Sequence, residues 1–192
     1  MRKMVALLIL VLTPPSLAFA QSLKVDPEQR YLLLATRKTS TMEKELMEIA
    51  DQGFRVLVGS PTAGTEMAVF MERVATPPNT YKYKLLATTR TGTMQNELNE
   101  SAAEGYRLLP RTMISKQEAF KKPFTSGVEI VVLLEKEPNS TKTYDYKLLA
   151  TTLTGTLQRE VSEAMRAGYV IAGMVSRGEH MVIMEKEAPL NE

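Results

Sequence analysis

The chain has 192 residues, of which 44% are apolar and 24% charged, with one histidine and no cysteine. The absence of cysteine excludes disulfides, thiolate metal sites and a catalytic thiol, so the fold must depend on its apolar core. Arg2 and Lys3 account for the whole net charge of +2, so the chain after residue 20 is neutral and gives no indication of nucleic-acid binding.

Residues 1–20 have the layout of a cleaved export signal. A basic start precedes the apolar run Val5–Leu12, and positions 18–20 are Ala-Phe-Ala, the small-residue pattern that a signal peptidase cleaves. The run is shorter than the roughly 20 apolar residues of a membrane helix, and no later stretch approaches that length. We therefore predict a periplasmic or extracellular protein with no membrane span after cleavage. An uncleaved N-terminal anchor is the alternative.

The rest of the chain contains one sequence pattern three times. Tyr31, Tyr83 and Tyr146 each open a strand-like segment, and they are separated by 52 and 63 residues. At the same two spacings, each copy reaches a glycine followed by an aromatic residue, at Gly53-Phe54, Gly105-Tyr106 and Gly168-Tyr169. An internal repeat of this kind determines the architecture before any other feature. The predicted units are 21–75, 81–137 and 143–187.

The middle copy shows how each unit is expected to fold. Tyr83–Thr88 is largely apolar and is followed by turn-forming residues, which indicates a strand. A helix is expected to begin with Thr93 as its N-cap, or with the cap one residue earlier. It is expected to end at Gly105, because glycine takes the left-handed conformation without steric cost. Tyr106–Leu109 and Val128–Lys136 are predicted to form a hairpin. The unit is therefore β-α-β-β.

The third strand of each unit indicates how the units pack. Val128–Lys136 is apolar on both faces, and Met67–Met71 shows the same pattern in the first copy. A strand that is apolar on both faces is covered on both faces, and the helix of its own unit covers only one. We therefore predict three tandem units with antiparallel hairpins, packed through their sheets into one compact α+β body. Separate beads are the alternative.

The unit resembles the bacterial βαββ family catalogued as domain of unknown function 4177. The resemblance depends on the Tyr-x-Tyr-Lys-Leu-Leu openings at Tyr81–Leu86 and Tyr144–Leu149, the short helix and the Gly-aromatic pair. The hairpins also end in Glu-Lys, at Glu135-Lys136 and Glu185-Lys186. The resemblance implies the βαββ fold, three times over most of the chain, and it implies no catalytic residue.

The middle copy differs from the others in the length of its hairpin. From the aromatic residue to the closing glutamate it spans 29 residues, against 18 in the first copy and 16 in the third. The excess is predicted to form an arm, 110–127, in which phenylalanines lie among cations, a composition that fits a partner-binding surface. A solvated arm whose phenylalanines fold back onto the body is the alternative. The predicted contact residues are Arg111, Lys116, Phe120, Lys121, Lys122 and Phe124.

Other candidate constellations are explained by the fold. Each helix carries a glutamate pair on its solvent side, and the only histidine, His180, lies in a predicted turn without an orienting partner. We predict no catalytic residue, no cofactor and no metal. The expected function is an exported, non-enzymatic binding protein with a protein or glycan partner. The alternatives are a cell-envelope hydrolase that uses carboxylates, and a structural protein that forms homo-oligomers through its sheet faces.

Overall fold

The computed structural model of the chain describes residues 23, 25–62, 64–74, 80–117 and 127–188. These residues form three α-helices and ten strands, and the strands form three antiparallel sheets in one α+β body, which confirms the predicted fold class. The predicted export signal lies outside the described residues. No helix in this described part is both long and apolar enough to cross a membrane.

Unit 1 forms a three-stranded sheet with one helix. Its elements are β1 (Tyr31–Thr36), α1 (Thr39–Ala50), β2 (Phe54–Pro61) and β3 (Met67–Arg73). The spatial order is β1-β3-β2, so the last strand of the unit is the central one.

Units 2 and 3 follow the same plan. Unit 2 contains β4 (Lys82–Thr88), α2 (Thr91–Ala103), β5 (Arg107–Leu108), a 3-10 helix (Pro110–Thr112), β6 (Ile114–Gln117) and β7 (Val128–Lys136). Unit 3 contains β8 (Thr143–Thr151), α3 (Thr154–Arg166), β9 (Val170–Ser176) and β10 (His180–Ala188). β7 and β10 are the central strands, and β7 pairs with β4 on one side and with β5 and β6 on the other.

The helices begin with a different turn from the one predicted. α2 begins at Thr91 with Arg90 as its N-cap, so the predicted cap at Thr93 is wrong. The hydroxyl that organises this turn belongs to Thr88 at the end of β4, and it accepts the Arg90 backbone N–H at 3.1 Å. The corresponding bond is present in the other two units. Gly105 ends the turn after α2 with φ of +88°, the left-handed conformation that the sequence predicts.

Two helices are each buried between two sheets. α1 packs Met42 and Leu46 into a core that contains its own sheet and also Val131 and Leu133 of unit 2. In the same way, the core around α2 contains residues of its own sheet and of unit 3. These residues are Met94, Leu98, Ile130, Val132, Met181 and Ile183. α3 packs only against its own sheet in the described part of the chain. The order of layers is therefore sheet, helix, sheet, helix, sheet, helix.

The layer order decides which strands are covered on both faces. Residues 130–134 of β7 are all at most 1% exposed, so the two-sided burial predicted for this strand is confirmed. The same prediction is wrong for β3, because Phe70 is 44% exposed and no described element packs on its face of the sheet.

Candidate interaction site

A buried glutamate joins unit 2 to unit 1. Arg55 of β2 binds the carboxylate of Glu135 of β7 through Nη2 at 2.6 Å and through Nε at 3.0 Å. The hydroxyl of Tyr83 donates to the same carboxylate at 2.8 Å and accepts the Val56 backbone N–H at 2.9 Å. Because Glu135 is only 3% exposed, these partners take the place of water around its carboxylate. We call Arg55, Tyr83 and Glu135 the first Tyr–Glu–Arg cluster.

Unit 3 is joined to unit 2 by an equivalent group of side chains. Arg107 binds Glu185 through Nη2 at 2.8 Å and through Nε at 3.0 Å. The Tyr146 hydroxyl donates to Glu185 at 2.9 Å and accepts the Leu108 backbone N–H at 2.7 Å. We call Arg107, Tyr146 and Glu185 the second Tyr–Glu–Arg cluster. In both clusters, a tyrosine and a glutamate of one unit meet an arginine of the preceding unit.

The environment of each cluster keeps its tyrosine neutral and its arginine charged. Burial raises the pKa of Tyr83 and of Tyr146, and the neighbouring carboxylate raises each of them further. The hydrogen bond from Arg55 to Glu135 raises the pKa of Arg55, and the hydrogen bond from Arg107 to Glu185 raises the pKa of Arg107. The tyrosines are therefore neutral donors and the arginines are cations, which is the state that these hydrogen bonds require.

Side chains of each helix also bind the free edge of the next sheet. The Gln95 side chain of α2 accepts the Leu148 N–H and donates to the Tyr146 carbonyl, both at 2.6 Å. Asn99 accepts the Tyr146 N–H at 2.8 Å. These bonds cover the backbone groups that an edge strand leaves open. The corresponding acceptors in α1 are Glu43, for the Leu85 N–H, and Met47, for the Tyr83 N–H.

Unit 3 has the same kind of docking surface with no described residue packed on it. An apolar groove of about 310 Å³ lies between α3 and β9, on the face of the unit 3 sheet that carries α3. In units 1 and 2 the sheet of the next unit occupies this position. We call it the α3–β9 groove. Its apolar lining consists of Leu157, Val161, Ile171, Met174 and Val182.

Equivalent residues show the effect of an empty groove. Ile171 occupies the position of Val56 in unit 1 and of Leu108 in unit 2. Val56 is 8% and Leu108 is 1% exposed, whereas Ile171 is 55% exposed. Gln158 and Ser162 stand at the positions of the helix side chains that bind the next edge strand, and here they bind each other at 3.4 Å.

The opposite end of the stack exposes one face of the unit 1 sheet. Leu33 and Phe70 are cross-strand neighbours on this face and are 50% and 44% exposed. The residues at the Phe70 position in units 2 and 3, Leu133 and Ile183, are each 1% exposed. We call this surface the β1–β3 face. It consists of Tyr31, Leu33, Ala35, Ala68 and Phe70.

A second, charged cleft of about 440 Å³ lies beside the two Tyr–Glu–Arg clusters. Its charged walls include Arg55, Arg107, Glu135, Lys142 and Glu185. The two glutamates are bound by the two arginines, and Lys142 binds Glu187 at 3.0 Å. These charges neutralise one another, so the cleft offers little to a charged ligand. It follows the junctions between neighbouring units. Among the described residues, no three His, Asp or Glu side chains lie close enough together to hold a metal ion.

The predicted contact residues of the arm do not form one exposed surface. Arg111 is exposed, in the 3-10 helix. Lys116 is buried, with its ammonium bound to the Glu129 carboxylate and to the Arg37 carbonyl, so it does not belong to an exposed cationic surface. The other four predicted residues, Phe120, Lys121, Lys122 and Phe124, lie outside the described residues.

Residues 110–117 pack within the body, so the prediction of an arm that begins at 110 is wrong. The Thr112 hydroxyl donates to the Leu109 carbonyl at 2.7 Å and accepts the Leu133 N–H at 3.2 Å. The Gln117 N–H donates to the Gly64 carbonyl of unit 1 at 3.0 Å. The Thr112 bonds hold the segment against β7, and the Gln117 bond makes it part of the junction between units 1 and 2.

The same segment also contacts unit 3. A Cβ atom at Gly173 of β9 would clash with the Met113 sulfur, so only a glycine admits this approach without a shift of the methionine. On the other side, a Cβ at Gly59 of β2 would lie 3.3 Å from Ile114. Met113 and Ile114 thus lie between the second strands of units 1 and 3.

Sequence reasoning missed the α3–β9 groove, although a signal for it is present. Val170 stands where the other copies have the cluster arginines Arg55 and Arg107, and β9 also carries Ile171 and Met174. These three side chains are all more than half exposed. Comparison of the chain with protein-family models, with curated proteins and with solved structures gives no match.

Proposed function

We propose that this chain is an exported, non-enzymatic interaction protein that binds its partner in the α3–β9 groove. The observation that carries the proposal is the exposure of Ile171, 55% against 8% and 1% at the equivalent positions of the other units. A concave surface with exposed aliphatic side chains fits an apolar protein partner. The predicted signal at 1–20 would place this interaction outside the cytoplasm.

The internal interfaces indicate what such a partner would present. Each occupied groove receives an apolar sheet face together with the edge of that sheet. The edge is bound through its backbone N–H groups by side chains of the helix. Gln158 and Ser162 of α3 have the acceptors for the same contact. A partner with an open, apolar β-sheet edge fits this groove best.

Site-specific photo-crosslinking in cells that produce the full chain tests the proposal. A photoreactive residue at Met174 is expected to give covalent adducts with protein, because this side chain lies in the groove. The same probe at Asn96, which is exposed on α2 of the fully packed middle unit, serves as the control. Adducts at Met174 no stronger than those at Asn96 would show that the groove is not the binding site. If the same probe placed at Phe124 formed adducts and the probe at Met174 formed none, binding would be assigned to the predicted arm.

A further inference from the structure

We propose that the α3–β9 groove binds the β1–β3 face of a second copy of this chain, so that copies join head to tail. This inference rests on the proposed function, because it names the partner of the same groove. The two ends of the stack carry the two sides of one kind of interface, the α3–β9 groove at one end and the β1–β3 face at the other. The chain already forms this kind of interface twice between its own units.

The apolar side chains of the two ends correspond to those of the internal interfaces. Unit 2 presents Val131 and Leu133 to unit 1, and unit 3 presents Met181 and Ile183 to unit 2. The positions that correspond to these pairs in unit 1 are Ala68 and Phe70, on the β1–β3 face. The face that a second copy would insert is therefore apolar at the same positions as the faces that fill the internal grooves.

The polar contacts of the internal interfaces can also be reproduced. Tyr31 and Glu72 are cross-strand partners in the register of Tyr83 with Glu135 and of Tyr146 with Glu185. In a head-to-tail pair, the Tyr31 hydroxyl would accept the Ile171 N–H, as Tyr146 accepts the Leu108 N–H within the chain. The Tyr31 and Leu33 N–H groups on the free edge of β1 would then face Gln158 and Ser162.

Of the contacts that the two internal interfaces share, the ends lack the cluster arginine, which is Val170 in unit 3. A glutamate buried without its arginine would oppose association. Glu72 already has an arginine within its own unit, since Arg30 Nη2 binds it at 3.0 Å. The β1–β3 face can therefore be covered without leaving an unpaired carboxylate, and Val170 adds apolar surface where an arginine would otherwise stand.

The distribution of exposed apolar residues supports an interface between ends. Ten large apolar side chains are exposed in the described part of the chain, five in unit 1, five in unit 3 and none in unit 2. On unit 1 they are Leu23, Tyr31, Leu33, Leu57 and Phe70, and on unit 3 they are Leu153, Met165, Val170, Ile171 and Met174. Because the groove and the face are different surfaces, their contact is heterologous and builds rings or filaments.

Single-end variants of the full chain test this assembly by sedimentation velocity. The wild-type mass is expected to rise above that of the monomer as the concentration increases, while F70R and I171R each remain monomeric. An equimolar mixture of the two variants is expected to form a 1:1 dimer and nothing larger, because F70R keeps its groove and I171R keeps its face. A wild-type chain that stays monomeric up to about 300 µM would overturn the proposal.

Two further outcomes decide between kinds of contact. Loss of association in F70R but not in I171R would show a symmetric contact between β1–β3 faces and would overturn head-to-tail assembly. Failure of the mixed variants to pair would overturn it as well. Phe70 and Ile171 are both exposed, so the variants should melt at the temperature of the wild-type chain at concentrations that keep it monomeric. If either unfolds, Leu33→Lys and Met174→Lys make the same test at neighbouring positions.

The crosslinking probe at Met174 separates this inference from the proposed function. An adduct with twice the monomer mass, joined to peptides from 31–36 or 67–73, is the expected result. Adducts exclusively with a different protein would overturn self-association and leave the groove as a binding site. No adduct above the Asn96 control would overturn both proposals.

Discussion

Unit 2 and the two outer units share one βαββ plan but differ in what covers them. The sheet of unit 2 is enclosed by α1 on one face and by α2 on the other, and its β7 residues 130–134 are at most 1% exposed. Unit 1 leaves Phe70 exposed, and unit 3 leaves Ile171 exposed, at positions whose counterparts are buried elsewhere. The apolar pattern is common to all three units, so the place of a unit in the stack decides which apolar residues stay exposed.

The largest effect that tests this comparison is expected from a pair of matched truncations. Leu133→Ala removes a side chain buried between units 1 and 2 and is expected to lower the free energy of unfolding by about 2–5 kcal/mol. Phe70→Ala alters the equivalent residue on the β1–β3 face, where the expected change is about 0.5 kcal/mol at concentrations that keep the chain monomeric. Urea denaturation measures both. Equal losses would mean that the β1–β3 face is already covered in the monomer.

Removing a cluster hydroxyl is the next largest test. Tyr146→Phe leaves the Leu108 N–H without its acceptor and removes one of the two donors to Oε2 of the buried Glu185, so a loss of about 1–3 kcal/mol is expected. Tyr31→Phe removes the corresponding hydroxyl on the open end, where Tyr31 is 45% exposed, and is expected to leave the monomer unchanged. Denaturation of the two variants side by side makes the comparison. A large loss in Tyr31→Phe would contradict the view that this end is open.

Local patterns in the sequence predict much of the fold, and long-range contacts account for the rest. Val128–Lys136 is found with the predicted bounds, because its unbroken apolar run at 130–134 determines both the strand and its two-sided burial. The true start of α2 was missed, because the hydroxyl that organises it lies in the preceding strand, on Thr88. The burial of Lys116 could not be predicted from composition, because its partners, Glu129 and Arg37, come from β7 and from unit 1.

The candidate site was less accessible to sequence reasoning than the fold. Hairpin length indicates residues 110–127 as the contact site, whereas the exposed groove is formed by residues that have the same apolar character as core residues. Ile171 differs from Leu108 in its surroundings and hardly in its chemistry. Only the order of the layers shows that Leu108 lies beneath the sheet of the next unit, whereas no described sheet covers Ile171.

A smaller effect is expected from pH, through the buried tyrosines of the two clusters. Burial raises the pKa of Tyr83 and Tyr146 above the ordinary value of 10.0, so both stay neutral in the folded chain while the unfolded chain ionises. Their contribution to stability is complete below pH 10 and is lost as the pH rises above it, by up to about 1.4 kcal/mol per pH unit for each tyrosine. Urea denaturation between about pH 8 and pH 11 measures this. The fall should be shallower in the Tyr83→Phe/Tyr146→Phe variant, and an identical slope would contradict the assignment.

The smallest effect is expected in the insertion beyond β6. Replacing Phe120, Lys121, Lys122 and Phe124 together with serine should leave crosslinking at Met174 intact, because the described lining of the α3–β9 groove does not include them. Lys116→Met is the contrasting variant in the same insertion, because it leaves Glu129 without its buried cation and should destabilise the junction between units 1 and 2. The insertion would then act through 110–117, which packs between units. Loss of the Met174 adducts in the fourfold serine variant, with its stability unchanged, would instead assign partner binding to the arm that composition predicts.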